Sequence, residues 1–360
     1  MQNKVVIAKR IYIKAAWKFY DENGDNVDSR IFPLLNAIHE SGKLTKAAVE
    51  LGMSYRHVWN ILKKCTDFFG SELVELQKGK GAKLTPLGEK LLWAEQLVNA
   101  RFEHQLNSLA SELNLEIQKN LTFKEPLLRI LASHGYAVAL LPEFTNKFKL
   151  NLQYKTAEES LQALTKGECD IAAFHLPTDF VNQTLVDVYS KYFKPNTYKV
   201  IRFVTRKQGL MVKNGNPKGI EKIEDLLRAD IKFINRQDNS GTRLLIEEIF
   251  RRATVDFEQV AGFHEIEFTH SAIAAYVASG MADTGIGVET AARQFGLDFI
   301  PLTTENYVLV CHHKSVKKFA VQQLIAELKT EKFQQSVLKL AGYKPFCCGD
   351  VCNLEDILPW

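Results

Sequence analysis

The sequence predicts an α/β protein with a small helical front end, a long helix and a larger two-lobed body. Three observations predict it. Residues 31–62 hold short apolar patterns of helical spacing, separated by glycine turns and a serine. Residues 87–120 contain no proline, and their only glycine, Gly88, sits in the first turn of the expected helix. From residue 121 onward strand-like and helix-like segments alternate, as in parallel sheets covered by helices. The expected boundaries are 1–85 for the front end, 86–120 for the long helix, 121–346 for the body and 347–360 for a cysteine-containing tail.

Bulk properties bound the function. A chain of 360 residues exceeds one ordinary domain, and 46% apolar with 24% charged residues is enough to bury real cores. No apolar run is long enough to span a bilayer, and lysines interrupt "MQNKVVIAKRIYIK", so neither a membrane helix nor a signal peptide is expected. A cytoplasmic location follows as the expectation. The first 90 residues carry 15 Lys and Arg against 10 Asp and Glu, leaving 31 against 32 for the rest of the chain. A basic front on a near-neutral body points the front toward a polyanion, although an excess this small also suits a solvated surface.

Within the front end, "RIYIKAAWKFYDENGDNVDSR" alternates around a "DENG" turn and reads as a hairpin. Ile31, Leu34, Leu35 and Ile38 then mark a helix stopped by Ser41-Gly42. Thr45 is the expected cap of a short second helix that ends at Gly52. Ser54 caps a third, with Val58, Ile61 and Leu62 facing inward. For contact with DNA this segment offers Thr45, Ser54, Tyr55, Arg56, His57, Asn60, Lys63 and Lys64. Next, Leu73–Leu76, "QKGKGAK" and Ala82–Leu84 form a strand, a basic turn and a returning strand. This is the grammar of a winged helix-turn-helix, with Lys78, Lys80 and Lys83 of the wing placed for phosphates of double-stranded DNA. Thr85 caps the long helix and Pro86 takes its first position. Leu91, Leu92, Ala94, Leu97, Ala100, Leu109, Leu113 and Ile117 form an apolar stripe expected to pair with a second copy.

The body offers several donor-rich helix starts, where backbone N–H groups and the helix dipole favour an anion. The strongest is "NRQDNSGTR", with Ser240, Gly241 and Thr242 between Arg236 and Arg243. Asp238 could clamp Arg236 or accept a proton from a ligand. Ser133 and His134 open another helix, Thr269, His270 and Ser271 a third, and His175 ends a strand. Each feature alone is commonly a plain cap or a satisfied polar residue; their recurrence at equivalent places makes them a candidate site. No nucleophile–base pair, metal-hydrolase motif or dinucleotide loop accompanies them, so binding is expected rather than catalysis.

"AAVELGMSYRHVWNILKKC" and "GKGAKLTPLGEKLLWAE" resemble the N-terminal domain of ModE-type winged-helix regulators. "GECDIAAFHLP", "RFVTRKQGLMVKNGNPKGIEKIEDL", "FINRQDNSGTR" and "THSAIAAYVASGMADTGIGVETAA" resemble the type-2 periplasmic-binding-protein-like domain joined to such regulators. The resemblance implies a one-component, LysR-like transcription regulator, an oligomer through its linker helix, with no required cofactor. The likeness of "RQDNSGT" to anion-binding loops implies ligand contacts at Arg236, Ser240, Gly241 and Thr242. The small β-barrel with which ModE senses molybdate has no counterpart here, so a molybdate or tungstate effector follows by association alone. An organic acid or cofactor fragment is the alternative ligand, and an enzyme of molybdenum-cofactor metabolism the least supported reading. In the tail, Cys347, Cys348 and Cys352 could bind a metal or sense oxidation, but no fourth ligand is evident and a loosely packed tail is the plainer expectation.

Overall fold

The computed structural model describes residues 10–77, 81–119, 126–145, 147–178, 189–194, 196–238 and 240–357. They form two compact units, one of residues 14–102 and one joining 10–13 to 103 onward.

In the first unit, α1 (Ile31–Ser41) buries Ile31, Leu34, Leu35 and Ile38 and ends on Gly42 at φ 64°. That left-handed cap lets the Gly42 carbonyl accept from Ala82 N–H on the wing at 2.8 Å. α2 (Leu44–Glu50) is capped by Lys43 without a side-chain bond, so Thr45 lies inside the first turn, exposed, and is not the cap. α3 (Tyr55–Phe69) starts as expected, with Ser54 Oγ accepting from His57 N–H at 3.2 Å. β1 (Val74–Gln77) and β2 (Gly81–Leu84) pair antiparallel as the wing. The hairpin expected before α1 is reduced to a single bridge, Tyr20 to Asn26, beside a turn in which Asp21 Oδ1 accepts from Asn23 and Asp25 N–H. Its apolar residues Trp17 and Phe19 pack on the helical core rather than forming a ladder.

α4 runs unbroken from Pro86 to Lys119, and Thr85 Oγ1 caps it by accepting from Gly88 N–H at 3.1 Å. Leu92, Leu97 and Ala100 of its stripe are buried, whereas Leu109 and Leu113 stay exposed. No helix among the described residues is long and apolar enough to cross a membrane.

The second unit is a curled mixed sheet in two lobes. Lobe one holds β3 (Leu127–Ala132), β4 (Lys149–Tyr154) and β5 (Ile171–Pro177) in parallel, with α5 (Tyr136–Leu140) and α6 (Ala157–Lys166). Lobe two holds β7 (Phe233–Arg236), β8 (Ile266–Glu267) and β9 (Thr284–Val288), with α7 (Gly241–Arg252), α8 (His270–Ala278) and α9 (Glu289–Gln294). Two fifteen-residue strands, β6 (Tyr198–Val212) and β10 (Asp298–His312), pair antiparallel and run through both lobes. Breaks in their register at Pro301/Thr303 and Tyr307/Val308 mark where the sheet bends. Each lobe is covered on both faces; along β5, Ile171 and Ala173 enter one core while Ala172 and Phe174 enter the other. α10 (Phe319–Leu328) and α11 (Glu331–Leu338) complete lobe one.

The tail is not loose. β11 (Tyr343–Pro345) and β12 (Val351–Asn353) both pair with β6. Edge strand β4 is closed by side chains of α4: Ser111 and Ser108 hydroxyls accept from Leu152 and Tyr154 N–H, each at 3.0 Å.

Candidate functional site

Strand ends β3, β5, β7 and β8 bring the expected residues to the junction of the two lobes. His175 lies on β5, its ring stacked on Tyr307 of β10 at 3.8 Å, and its Nε2 is buried without a hydrogen-bond partner. His270 opens α8, buried, with Nδ1 likewise unpartnered. His134 follows β3 and packs against Tyr154 at 5.0 Å. Gly135 keeps this corner open: a Cβ there would sit 3.2 Å from Tyr307 and 3.5 Å from His175 Nε2. Burial holds all three imidazoles well below the usual histidine range. Neighbouring charges add to it: Arg236 and Arg206 at His270, Arg206 at His175, and Arg236 and Arg206 at His134. They are neutral at pH 7.

Arg236 is the charge at the centre of this group. It is 8% exposed; its Nε donates to Gln237 Oε1 at 3.2 Å and a terminal nitrogen to the Phe268 carbonyl at 3.0 Å. Among the described residues it forms no ion pair; burial and Arg206 push its pKa down to about 9, with Glu305 and Glu267 acting against them. The guanidinium remains charged at neutral pH, and among the described residues these are its two side-chain hydrogen bonds.

Other expected contacts are committed elsewhere. Asp238 was expected to clamp Arg236; it is exposed and pairs with Arg243 at 3.7 Å instead. Arg243 is itself turned away from a ligand role: it binds Glu247 at 2.7 Å and lies 4.4 Å over the Phe263 ring, within the core of lobe two. Ser240 caps α7, accepting from Arg243 N–H at 3.1 Å and donating to the Gln237 carbonyl at 3.0 Å. Thr269 caps α8 through Ala272 N–H at 2.8 Å. Thr242 is buried in the first turn of α7, and open space lies over Gly241. Ser133 enters through its backbone, receiving Tyr307 O–H.

Sequence reasoning missed three participants. Arg206 on β6 is 2% exposed and donates to Glu305 Oε2 at 2.8 Å, with Gln208 Nε2 on the same oxygen at 2.9 Å. Tyr136 joins the lobes: its hydroxyl meets Ser271 Oγ at 2.8 Å and donates to Gln294 Oε1 at 2.7 Å. His104 of α4 stacks on His134, ring centroids 3.4 Å apart. None carries a local signature, because each acts across more than 90 residues or from the middle of a helix.

In the first unit, Tyr55, Arg56, Asn60, Lys63 and Lys64 are exposed along α3, and Lys83 is exposed on β2. His57 is half-buried with its Nε2 unpartnered. Trp59, unremarked in the sequence, stands exposed on the same helix beside Tyr55, rings 6.3 Å apart. Lys78 and Lys80 lie outside the described residues. The three tail thiols do not converge: buried Cys348 donates to the Phe203 carbonyl at 2.6 Å, while exposed Cys347 and half-buried Cys352 flank Arg202.

Residues 140–329 match the model of the PBP superfamily domain, which spans over half the chain. The chain belongs to the PBP superfamily. Ahead of this PBP-like domain, residues 30–89 match the bacterial regulatory helix-turn-helix proteins of the lysR family. The uncharacterized protein YvgK of Bacillus subtilis is 36% identical over 200 residues, 55% of this chain and 64% of that relative, so less than two thirds of its length is spanned. The molybdenum transport protein ModE of Herbaspirillum seropedicae is 33% identical over 94 residues, 24% of this chain and 35% of ModE. Among solved structures, an H2O2-bound OxyR mutant from Corynebacterium glutamicum aligns over 87% of this chain and 94% of its own, at 16% identity and a TM-score of 0.44.

Proposed function

We propose that this PBP-superfamily chain is a transcription regulator: its helix-turn-helix unit binds double-stranded DNA, and its PBP-like domain senses a small anion between the lobes. The observation that carries the sensing half is Arg236, a guanidinium buried at the ends of parallel strands with no ion pair among the described residues. A buried charge left uncompensated costs several kcal/mol. A site that keeps one is built for a ligand of opposite sign. Neutral His175 and His270 each bring an unpartnered nitrogen to the same junction. The α7 start adds N–H groups at Gly241 and Thr242.

A compact tetrahedral oxyanion of the molybdate or tungstate type is the effector we favour, since guanidinium and amide donors suit a fully ionised anion. The ModE likeness supports the same direction. The second reading, an organic acid, draws on the aromatic wall of Tyr154, His134 and Tyr307, which suits a larger planar ligand. Closure of the lobes around the anion would act through Tyr136, whose bonds to Ser271 and Gln294 span the junction. The exposed Leu109 and Leu113 of α4 support assembly with a second copy, so that two copies of α3 read a two-fold site.

Calorimetry of the full chain with molybdate, tungstate, sulfate and phosphate tests the ligand, and a mobility shift with and without the bound anion tests the output. Tight binding of one oxyanion with altered DNA affinity is expected. Heat with none of them, or DNA binding indifferent to all, overturns the oxyanion reading.

A further inference from the structure

We propose that Glu103, His104 and His134 form a binding site for a divalent transition-metal ion. Glu103 and His104 are consecutive on α4 and His134 follows β3; one ligand atom from each lies within 4.8 Å of the other two. His104 Nε2 is buried and has no hydrogen-bond partner, which is costly unless something is bound there. In a tetrahedral site with ligand bonds near 2.1 Å, donor atoms stand about 3.4 Å apart. The two imidazoles stack with centroids 3.4 Å apart, so binding requires one ring to turn until both lone pairs converge and the exposed Glu103 side chain to swing in.

The donor chemistry is selective. Two imidazole nitrogens with one carboxylate suit zinc, nickel, cobalt or ferrous iron, and are too nitrogen-rich for magnesium or calcium. Three protein ligands leave at least one position for water or an incoming anion. Arg236 opposes a cation here and Glu103 favours one. His134 is shared with the anion group, whereas Glu103 and His104 are not, so variants at those two test the metal site apart from the anion reading.

The full-length chain, freed of metal by chelation, is titrated with zinc and nickel chloride by calorimetry, and with cobalt chloride by visible absorption. We expect one equivalent in the wild type and in Cys347→Ser/Cys352→Ser, which removes competing thiols. His104→Ala should weaken binding about 100-fold or more. Glu103→Gln, at an exposed position that leaves the fold intact, should weaken it roughly 10-fold or more. Circular dichroism confirms folding of each variant. No stoichiometric binding by the wild type, or unchanged binding in both His104→Ala and Glu103→Gln, overturns the site, as does binding that vanishes only with the cysteines.

Discussion

Arg206 in the connecting strand β6 and Arg236 at the end of β7 are both almost fully removed from water, yet their surroundings differ in kind. Arg206 meets the Glu305 carboxylate at 2.8 Å, and Gln208 holds the same oxygen, so the charge is balanced across β6 and β10 even though Arg206 Nη1 and Gln208 Oε1 are buried without hydrogen-bond partners. Arg236 has a neutral amide and a carbonyl for partners. One buried charge is compensated from within the chain; the other awaits compensation from outside. The difference teaches that burial of an arginine says little about its role until its counter-charge is found.

The largest effect should come from breaking the compensated pair. Glu305→Ala leaves Arg206 buried and alone, which should lower unfolding stability by about 3–5 kcal/mol in denaturant titrations. Replacing both partners by Met and Leu should recover most of that loss. If Glu305→Ala is as stable as the wild type, Arg206 is not held as described and the contrast fails.

Arg236 should behave in the opposite way. Arg236→Met should leave the anion-free protein as stable or more stable, because an unpaired buried charge is removed. Anion affinity should fall by roughly 2–5 kcal/mol in calorimetry. A destabilisation as large as that of Glu305→Ala would show instead that Arg236 is structural.

The histidines sharpen the same comparison through pH. His134, His175 and His270 have folded pKa values depressed by burial, while their unfolded values stay near 6.5. Below about pH 6.5 the unfolded chain binds more protons than the folded one, so stability must fall as pH falls. Each histidine kept neutral contributes a slope of about 1.4 kcal/mol per pH unit in that range. His270→Asn should flatten the profile by about one such increment in melts between pH 7 and 5. An unchanged slope would mean that His270 takes up a proton within the folded protein.

Much of the fold was legible in local patterns. The Ser54 cap, the Gly42 stop, the wing and the unbroken α4 each follow from spacing and cap chemistry that act within a few residues. Thr45 shows the limit: a threonine before an apolar run is a cap only if its own backbone is extended, and that conformation falls on Lys43. The candidate site was legible in its helix starts and in Arg236, but its electrostatics were not. Arg243 sits closer to the Ser-Gly-Thr turn in sequence than Arg236 does, and only the tertiary position of Phe263 and Glu247 shows which way it points. Arg206, Glu305 and His104 were invisible because their partners lie far along the chain.

Ser240 supplies the smallest and most discriminating effect. Its hydroxyl accepts from Arg243 N–H and donates to the Gln237 carbonyl, so both of its strong hydrogen bonds are spent on capping α7. Ser54 does the same capping work on α3, in the unit expected to meet DNA rather than the small anion. Ser240→Ala and Ser54→Ala should therefore each cost about 1 kcal/mol of stability, with glycine at either position costing only a few tenths. If Arg236 alone provides the counter-charge, Ser240→Ala should also leave anion affinity within about threefold of wild type. An affinity loss as large as that of Arg236→Met would mean that the hydroxyl leaves its cap to bind the anion, and that the α7 start reorganises when the lobes close.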